Sequence, residues 1–291
     1  MNDKRYFGIL TGAAILFVAL FAGLILTLVA NSAATLGSSG LGFISGLEWN
    51  PVTLKFGAWP FIMGTLLTSF IALAISLPFS LATGILLGEY VRSSFVAKTA
   101  NIFINLLASI PSVVYGLWGL TAVVPLVQKI ETAAGVPAYG VGILSSSLVL
   151  AIMIIPFMSS MTREVLKNVP DSLRHGALAL GATRREMVLG VSLPYVKSGI
   201  AAGVLLALGR ALGETMAVTM LIGNATRLPS SLFSIGNTLA SVIASQFNEA
   251  ESDVHRSAMM ELALILLLIT FVINFAGRKI IEKSSGGRNG R

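Results

Sequence analysis

The chain has 291 residues, of which 55% are hydrophobic and 11% charged, with a mean hydropathy of +0.84; that is more apolar surface than one water-soluble core can hide, so it reads as an integral membrane protein. It has no cysteine, which excludes disulfides, thiolate metal sites and thiol nucleophiles, and its two histidines, His175 and His255, fall in different loops, against a histidine metal site. The net charge of +7 is laid out as membrane topology lays it out, so no nucleic-acid partner is expected.

Six apolar runs reach the roughly 20 residues that cross a bilayer: 7–30, 60–88, 100–127, 141–161, 197–223 and 258–280. The two ends and the loops at 89–99 and 162–197 hold fifteen of the 20 Lys and Arg residues. The other loops hold Lys55, Lys129, Arg227 and Arg256, and the twentieth, Arg210, falls in the interior of a run. The positive-inside rule then puts both termini and the 162–197 loop in the cytoplasm. The expected fold is a single all-α membrane domain over 1–291 with six transmembrane helices.

Lys4 and Arg5 precede the first run, which exceeds the roughly 7 to 15 apolar residues of a signal-peptide core and so reads as a retained helix. The outer loop at 31–59 places Trp49 and Trp59 for the membrane interface. Pro78 is expected to kink the second run. In the third, Ala-Ser-Ile-Pro-Ser-Val-Val-Tyr-Gly at 108–116 gathers Ser109, Pro111, Ser112 and Gly116 near midspan. A proline frees a carbonyl there, which must be met by protein or by a watery cavity. Ser112 therefore either lines a substrate pathway or bonds back to its own helix.

The longest polar interruption contains HGALALGATRREMVLGVSLP at 175–194. Leu173, Ala177 and Leu180 share a face at helical spacing, and a second amphipathic run follows from Arg184 to Gly190. Gly181 suits a helix C-cap, and Thr183 with Glu186 three residues on suits a capping box. Two short helices joined at a glycine are expected, as a compact knob.

The fifth run holds Arg210, thirteen residues past Lys197 and so about 20 Å into the helix. A central arginine costs at least about 2.5 kcal/mol on insertion scales and needs a partner or a water-filled cavity. Glu214, one turn on, is expected on the same face as its counter-charge. Either the pair locks two helices together, or Arg210 is an anion site or gate, with Glu214 holding it in place and keeping an oxyanion from binding too tightly. Gly199 with Gly203 and Gly209 with Gly213 allow close helix approach. The tail at 284–291, Gly-rich and basic, is expected to be disordered or to lie at anionic headgroups.

The 175–194 string resembles the cytoplasmic EAA loop of ABC-transporter permeases: Glu-Ala-Ala, three residues, Gly, nine residues, then Ile-x-Leu-Pro. Gly181, Val191, Leu193 and Pro194 fall at that spacing, Ala177 is kept, and His175 and Gly176 stand where the pattern has Glu and Ala. The resemblance implies a type I ABC importer permease fold, in the cytoplasmic (inner) membrane of a bacterium. It also implies a coupling helix seated in an ATPase subunit, with contacts from His175, Gly176, Ala177, Gly181, Arg184, Arg185, Glu186, Leu193 and Pro194. An ordinary amphipathic interfacial helix is the alternative.

Arg-Ala-Leu-Gly-Glu-Thr-Met-Ala-Val at 210–218, Trp-Asn-Pro at 49–51, Phe-Gly-Ala-Trp-Pro-Phe at 56–61, Gly-Thr-Leu-Leu-Thr-Ser at 64–69 and Ile-Pro-Ser-Val-Val-Tyr-Gly at 110–116 are similar to the phosphate-specific ABC permeases, the PstA/PstC pair. The Trp-Asn-Pro and Phe-Gly segments are closer to the PstC type. What this implies is phosphate import by a complex of this chain with a second, PstA-like permease, two ATP-binding PstB-like subunits and an extracytoplasmic PstS-like phosphate-binding protein, which the acidic loop at 224–257, with Glu249, Glu251 and Asp253, would dock or simply be solvated. No Gly-x-x-x-x-Gly-Lys-[Ser/Thr] occurs, so no cofactor is expected in this chain, which is not an enzyme; ATP and magnesium belong to the partner subunits. Permeation of sulfate, molybdate or phosphonate, or a stand-alone channel or secondary transporter, are the rival expectations.

Overall fold

A computed structural model describes residues 3–40, 42–92 and 94–285. The tail at 286–291, on which part of the headgroup expectation falls, lies outside the described residues. The regular elements of the described residues are helices apart from one hairpin of two-residue strands, and six helices are long and apolar enough to cross a membrane.

Helix α1 (Asp3–Asn31) runs along α14 with none of its most apolar window buried, so its flanks are left to lipid or to a partner. Two short helices, α2 (Ala33–Ser39) and α3 (Gly42–Ser45), lead to strands β1 (Trp49–Asn50) and β2 (Lys55–Phe56), paired antiparallel with Trp49 opposite Phe56. Trp49 is not presented on the surface of the chain. It is buried, its ring edge-on to Phe56 at 4.8 Å and to Phe61 at 4.9 Å, and its Nε1 donates to Gln246 Oε1 at 2.9 Å. An indole whose N–H finds a partner is stable in an apolar cluster, which here is the outer core with Phe43, Leu239, Met259 and Leu262.

Helix α4 (Trp59–Ile85) carries Pro78 inside it and ends in a π-turn, Leu86–Tyr90. The run expected to form one span over 100–127 is divided. Helix α5 (Phe95–Ser109) stops at Ile110, whose extended backbone is what a following proline demands, and α6 (Ser112–Trp118) starts at once after Pro111. Through a second π-turn (Gly119–Val123), α6 continues into α7 (Val124–Ala133), and Ser112–Ala133 is the membrane-length unit.

Helix α8 (Ile143–Lys167) is the axis of the bundle: 67% of its most apolar window is buried, against 28% or less for every other span. Its buried face alternates small and large residues, Ser146, Ser147, Val149, Leu150, Ala151, Met153, Ile154 and Met158, and α4 and α11 pack along it. Gly84 of α4 lies so close that a Cβ there would meet Thr162 Cβ at 2.6 Å. The amides at the N-terminal end of α8, which have no helical acceptor, donate to carbonyls from later in the chain: Gly142 to Leu221 at 2.8 Å, Ile143 to Ser234 and Leu144 to Leu232, both at 3.0 Å.

After α8 come α9 (Asp171–Ala179), then α10 (Arg184–Met187), which runs through a third π-turn (Val188–Ser192) into α11 (Leu193–Leu212). The second half of the expected knob is therefore the first part of the fifth span, Arg184–Leu212. That span ends earlier than the apolar run suggested, because 213–215 are not helical and α12 (Met216–Leu221) is a separate short helix. Helix α13 (Leu239–Gln246) is tied to α4 by the Leu239 amide, which donates to Thr65 Oγ1 at 2.9 Å, and α14 (Asp253–Ser285) closes the bundle.

Candidate functional site

Arg210 stands in the last turn of α11 and is exposed on the chain's surface. Its guanidinium carbon lies 5.9 Å from the centroid of the Phe157 ring of α8, a cation–π contact. Among the described residues it has no ion pair. Glu214 is not its counter-charge, because the helix that would have stacked them one turn apart ends at Leu212. Instead Glu214 Oε1 accepts from the Ala217 amide at 3.3 Å and so serves the first turn of α12.

Ser112 is the first residue of α6 and half-buried; its hydroxyl makes no hydrogen bond to a described residue, whereas Ser109 Oγ donates back to the Leu106 carbonyl at 2.8 Å. Helix α6 packs on α12, so the two interruptions, at Pro111 and at 213–215, belong to helices in contact. Close packing needs Gly116: a Cβ there would come within 2.7 Å of Met220 Sδ.

In the polar element between α8 and α11 the caps form as the sequence requires. Gly181 has φ +86°, and the amides of Gly181 and Ala182 donate to the carbonyls of Leu178 and Ala177 at 3.0 and 3.2 Å, the paired bonds of a Schellman motif. Thr183 and Glu186 form the reciprocal capping box. His175, Gly176, Arg184, Arg185 and Glu186 are exposed, Ala177 is half-buried, and Leu180 presents 91% of its surface. Leu193 departs from this set: it packs inward on Leu166, Val169 and Val196, while Pro194, the next residue, is exposed.

The residue missed between Leu173 and His175 is Arg174, which is buried and forms a bidentate pair with Glu89 at the end of α4: Nε to Oε2 at 3.0 Å and Nη2 to Oε1 at 2.8 Å. The same guanidinium reaches Asp171 Oδ1 at 2.9 Å and the carbonyls of Val169 and Leu166. Glu89 raises the Arg174 pKa further above its ordinary value, chiefly by hydrogen bonding. Arg92, at 2.7 Å from Asp171, holds the Asp171 carboxyl below the usual carboxylate range. An acid at the end of an otherwise uncharged span was the available signal; its partner, 85 positions away, was not.

The described residues contain no cluster of His, Asp and Glu that could hold a metal. What they offer is an unpaired, exposed cation near the end of a membrane-length helix and a capped helical element pinned to the bundle. The family profile described as the binding-protein-dependent transport system inner membrane component matches residues 80–284. The chain belongs to that family. It is 41% identical to phosphate transport system permease protein PstC of Mesorhizobium japonicum, over 97% of this chain and 91% of that protein. The PstC of Pasteurella multocida is 43% identical over 94% and 90% of the two chains. Identity at this level over nearly the full length places the chain with the PstC-type permeases.

Two solved structures share the fold. One is a bacterial alginate ABC transporter in complex with an alginate pentasaccharide-bound periplasmic protein, with TM-score 0.66, 16% identity and 96% of each chain covered. The other is the inward-facing MetNI methionine ABC transporter, with TM-score 0.61 and 19% identity, covering 82% of this chain and 100% of that one. The chain is thus an all-helical, multi-pass inner-membrane permease subunit of an ABC transporter, not a catalytic subunit. A permease of this family works with ATPase and binding-protein partners.

Proposed function

We propose that the chain is the permease subunit through which inorganic phosphate is imported across a bacterial cytoplasmic membrane, with both of its ends in the cytoplasm. Its partners in this reading are a second, homologous permease, two ATP-binding subunits that hold the ATP and magnesium, and an extracytoplasmic phosphate-binding protein. The relatives named as phosphate permeases support the substrate. The observation that carries the residue assignment is Arg210, a cation in the last turn of a helix long and apolar enough to cross a membrane, exposed on the isolated chain and unpaired among the described residues. Such a group faces water or a partner subunit rather than lipid.

Phosphate released from the binding protein enters between the two permeases and passes Arg210, whose planar fork donates two parallel hydrogen bonds to oxyanion oxygens. Ser112, with a free hydroxyl at a helix break, adds a donor along the same path. Glu214 acts by shaping the break after Arg210. ATP binding closes the ATPase subunits against the knob, where His175, Gly176, Ala177, Gly181, Arg184, Arg185 and Glu186 form the contact and Leu180 supplies an apolar anchor. Leu193 and Pro194 set the angle at which the knob joins α11. The test is radiolabelled phosphate uptake in cells lacking their own high-affinity system, comparing the complete transporter with one bearing Arg210→Gln, with assembly measured alongside and sulfate as competitor. Loss of uptake in an assembled complex supports the path; retained uptake removes Arg210 from it, and competition by sulfate shifts the substrate to oxyanions at large.

A further inference from the structure

We propose that Glu89 and Arg174 are positioning residues that carry movement of the cytoplasmic knob into the second membrane-spanning helix, with the π-turn Leu86–Tyr90 as the joint that yields. The proposal rests on the reading of α9 as the ATPase contact.

Arg174 is the one buried residue of α9. Every other residue of that helix is exposed or half-buried, so its buried attachment to the bundle is concentrated in a single guanidinium. That group joins three elements at once. Its Nε and Nη2 hold the Glu89 carboxylate at the end of α4; its Nη2 also donates to the Leu166 carbonyl in the last turn of α8, 2.8 Å away; its Nη1 binds Asp171 Oδ1 and the Val169 carbonyl. Only a planar fork serves so many acceptors in fixed directions. A second, exposed strut runs beside it, from Arg92 to Asp171 at 2.7 Å.

The knob therefore has three routes into the membrane. Two are covalent: back through residues 168–170 into α8, and on through α10 and the π-turn Val188–Ser192 into α11. The third is the Arg174 link into α4. The routes into α11 and α4 each cross a π-turn just where they enter the span, and Glu89 lies within the one that ends α4. A π-turn carries one residue more than the α-helical path and closes with longer-range bonds, here the Val91 amide to the Leu86 carbonyl at 3.0 Å, so the helix can shift there without losing its backbone pairing. Above the joint α4 is packed along α8, Gly84 against Thr162. Buried ion pairs are a poor means of adding stability, and a fixed-geometry pair at the junction of a surface helix with a span is better suited to specifying a connection.

The complete transporter, reconstituted in liposomes with its binding protein, reports phosphate moved per ATP hydrolysed. Arg174→Lys and Glu89→Gln are each expected to lower that ratio at least about five-fold. The double variant should be no worse than the worse single one, because both break one link. Arg92→Gln, at an exposed strut that does not endanger folding, should lower the ratio in the same direction by less. A benzophenone attached to a cysteine at His175, the sole cysteine of the altered chain, should photocross-link to the ATPase subunit. If the unaltered complex moves no phosphate, the proposed function fails. If it does but the cross-link is absent, the reading of α9 fails. If both succeed and uptake and ATP hydrolysis fall together at constant ratio in all three single variants, the Glu89–Arg174 link is overturned.

Discussion

Tyr115 donates its hydroxyl to the carbonyl of Leu107 at 2.9 Å, across the break between α5 and α6. The helical partner of that carbonyl would be the amide four residues on, and the residue there is Pro111, which has none. The phenol supplies the missing donor, aided by the Ile110 amide at 3.3 Å. Tyr115→Phe keeps the ring and removes the bond, leaving the carbonyl a single, longer partner inside an apolar region. It is expected to cost about 1 kcal/mol, read as a lowered midpoint of thermal unfolding of the purified complex in detergent. An unchanged midpoint would mean that water or a partner chain already serves the Leu107 carbonyl.

The anchor of α9 should show graded costs. Arg174→Ala leaves the Glu89 carboxylate buried without its partner, which costs about 3 to 5 kcal/mol. Arg92→Ala breaks an exposed pair and should cost less than about 1 kcal/mol. The Asp171 carboxyl is depressed in the folded chain, so its contribution is complete above its unfolded value of 3.8 and is lost as pH falls through the lower folded value. Hydrogen exchange across 171–179 should therefore stay constant from pH 8 down to about 5 and rise only near and below 3.8 once corrected for intrinsic rates, with Asp171→Asn removing the step. A rise centred near pH 6 would point to a different group.

Three glycines should respond in opposite ways to alanine. Gly84→Ala would press a methyl against Thr162 at 2.6 Å and force α4 from α8, at about 1 to 3 kcal/mol. Gly181→Ala puts a side chain at φ +86° and should cost about 1 kcal/mol through the lost Schellman geometry. Gly176→Ala, on the exposed side of α9 with nothing within 4 Å, should stabilise that helix by about 0.5 to 1 kcal/mol. Limited proteolysis of the knob ranks the last two, and thermal unfolding ranks Gly84.

The sequence disclosed what is local. Six spans follow from run length alone, and the caps at Gly181, Thr183 and Glu186 follow from conformations fixed within four residues of each other. It disclosed less where hydropathy continues through a break. The apolar run passes over Pro111 without a dip, so 100–127 reads as one span although the backbone is extended at Ile110. At 213–215 no proline marks the end of α11, and helical spacing then pairs Arg210 with a Glu214 that is in fact turned to the next helix. Contacts between distant positions had no local sign at all. Glu89 and Arg174 stand 85 residues apart, and Trp49 and Gln246 stand 197 apart.

Because Glu214 caps α12 instead of neutralising Arg210, the two residues should fail differently. Arg210→Gln is expected to reduce phosphate uptake at least about ten-fold with normal assembly, since one charge-assisted contact to an oxyanion is worth roughly 1.5 to 3 kcal/mol. Arg210→Lys keeps the charge but loses the fork and should fall between. Glu214→Gln retains an oxygen acceptor for the Ala217 amide and should stay within about two-fold of normal uptake, whereas Glu214→Ala removes the acceptor and should destabilise the complex by about 1 kcal/mol. Uptake rates and unfolding midpoints measured on the same four variants decide the matter. If Glu214→Gln matched Arg210→Gln in lost uptake, the carboxylate charge itself would be required, and the pair would have to form in another conformation of the transport cycle.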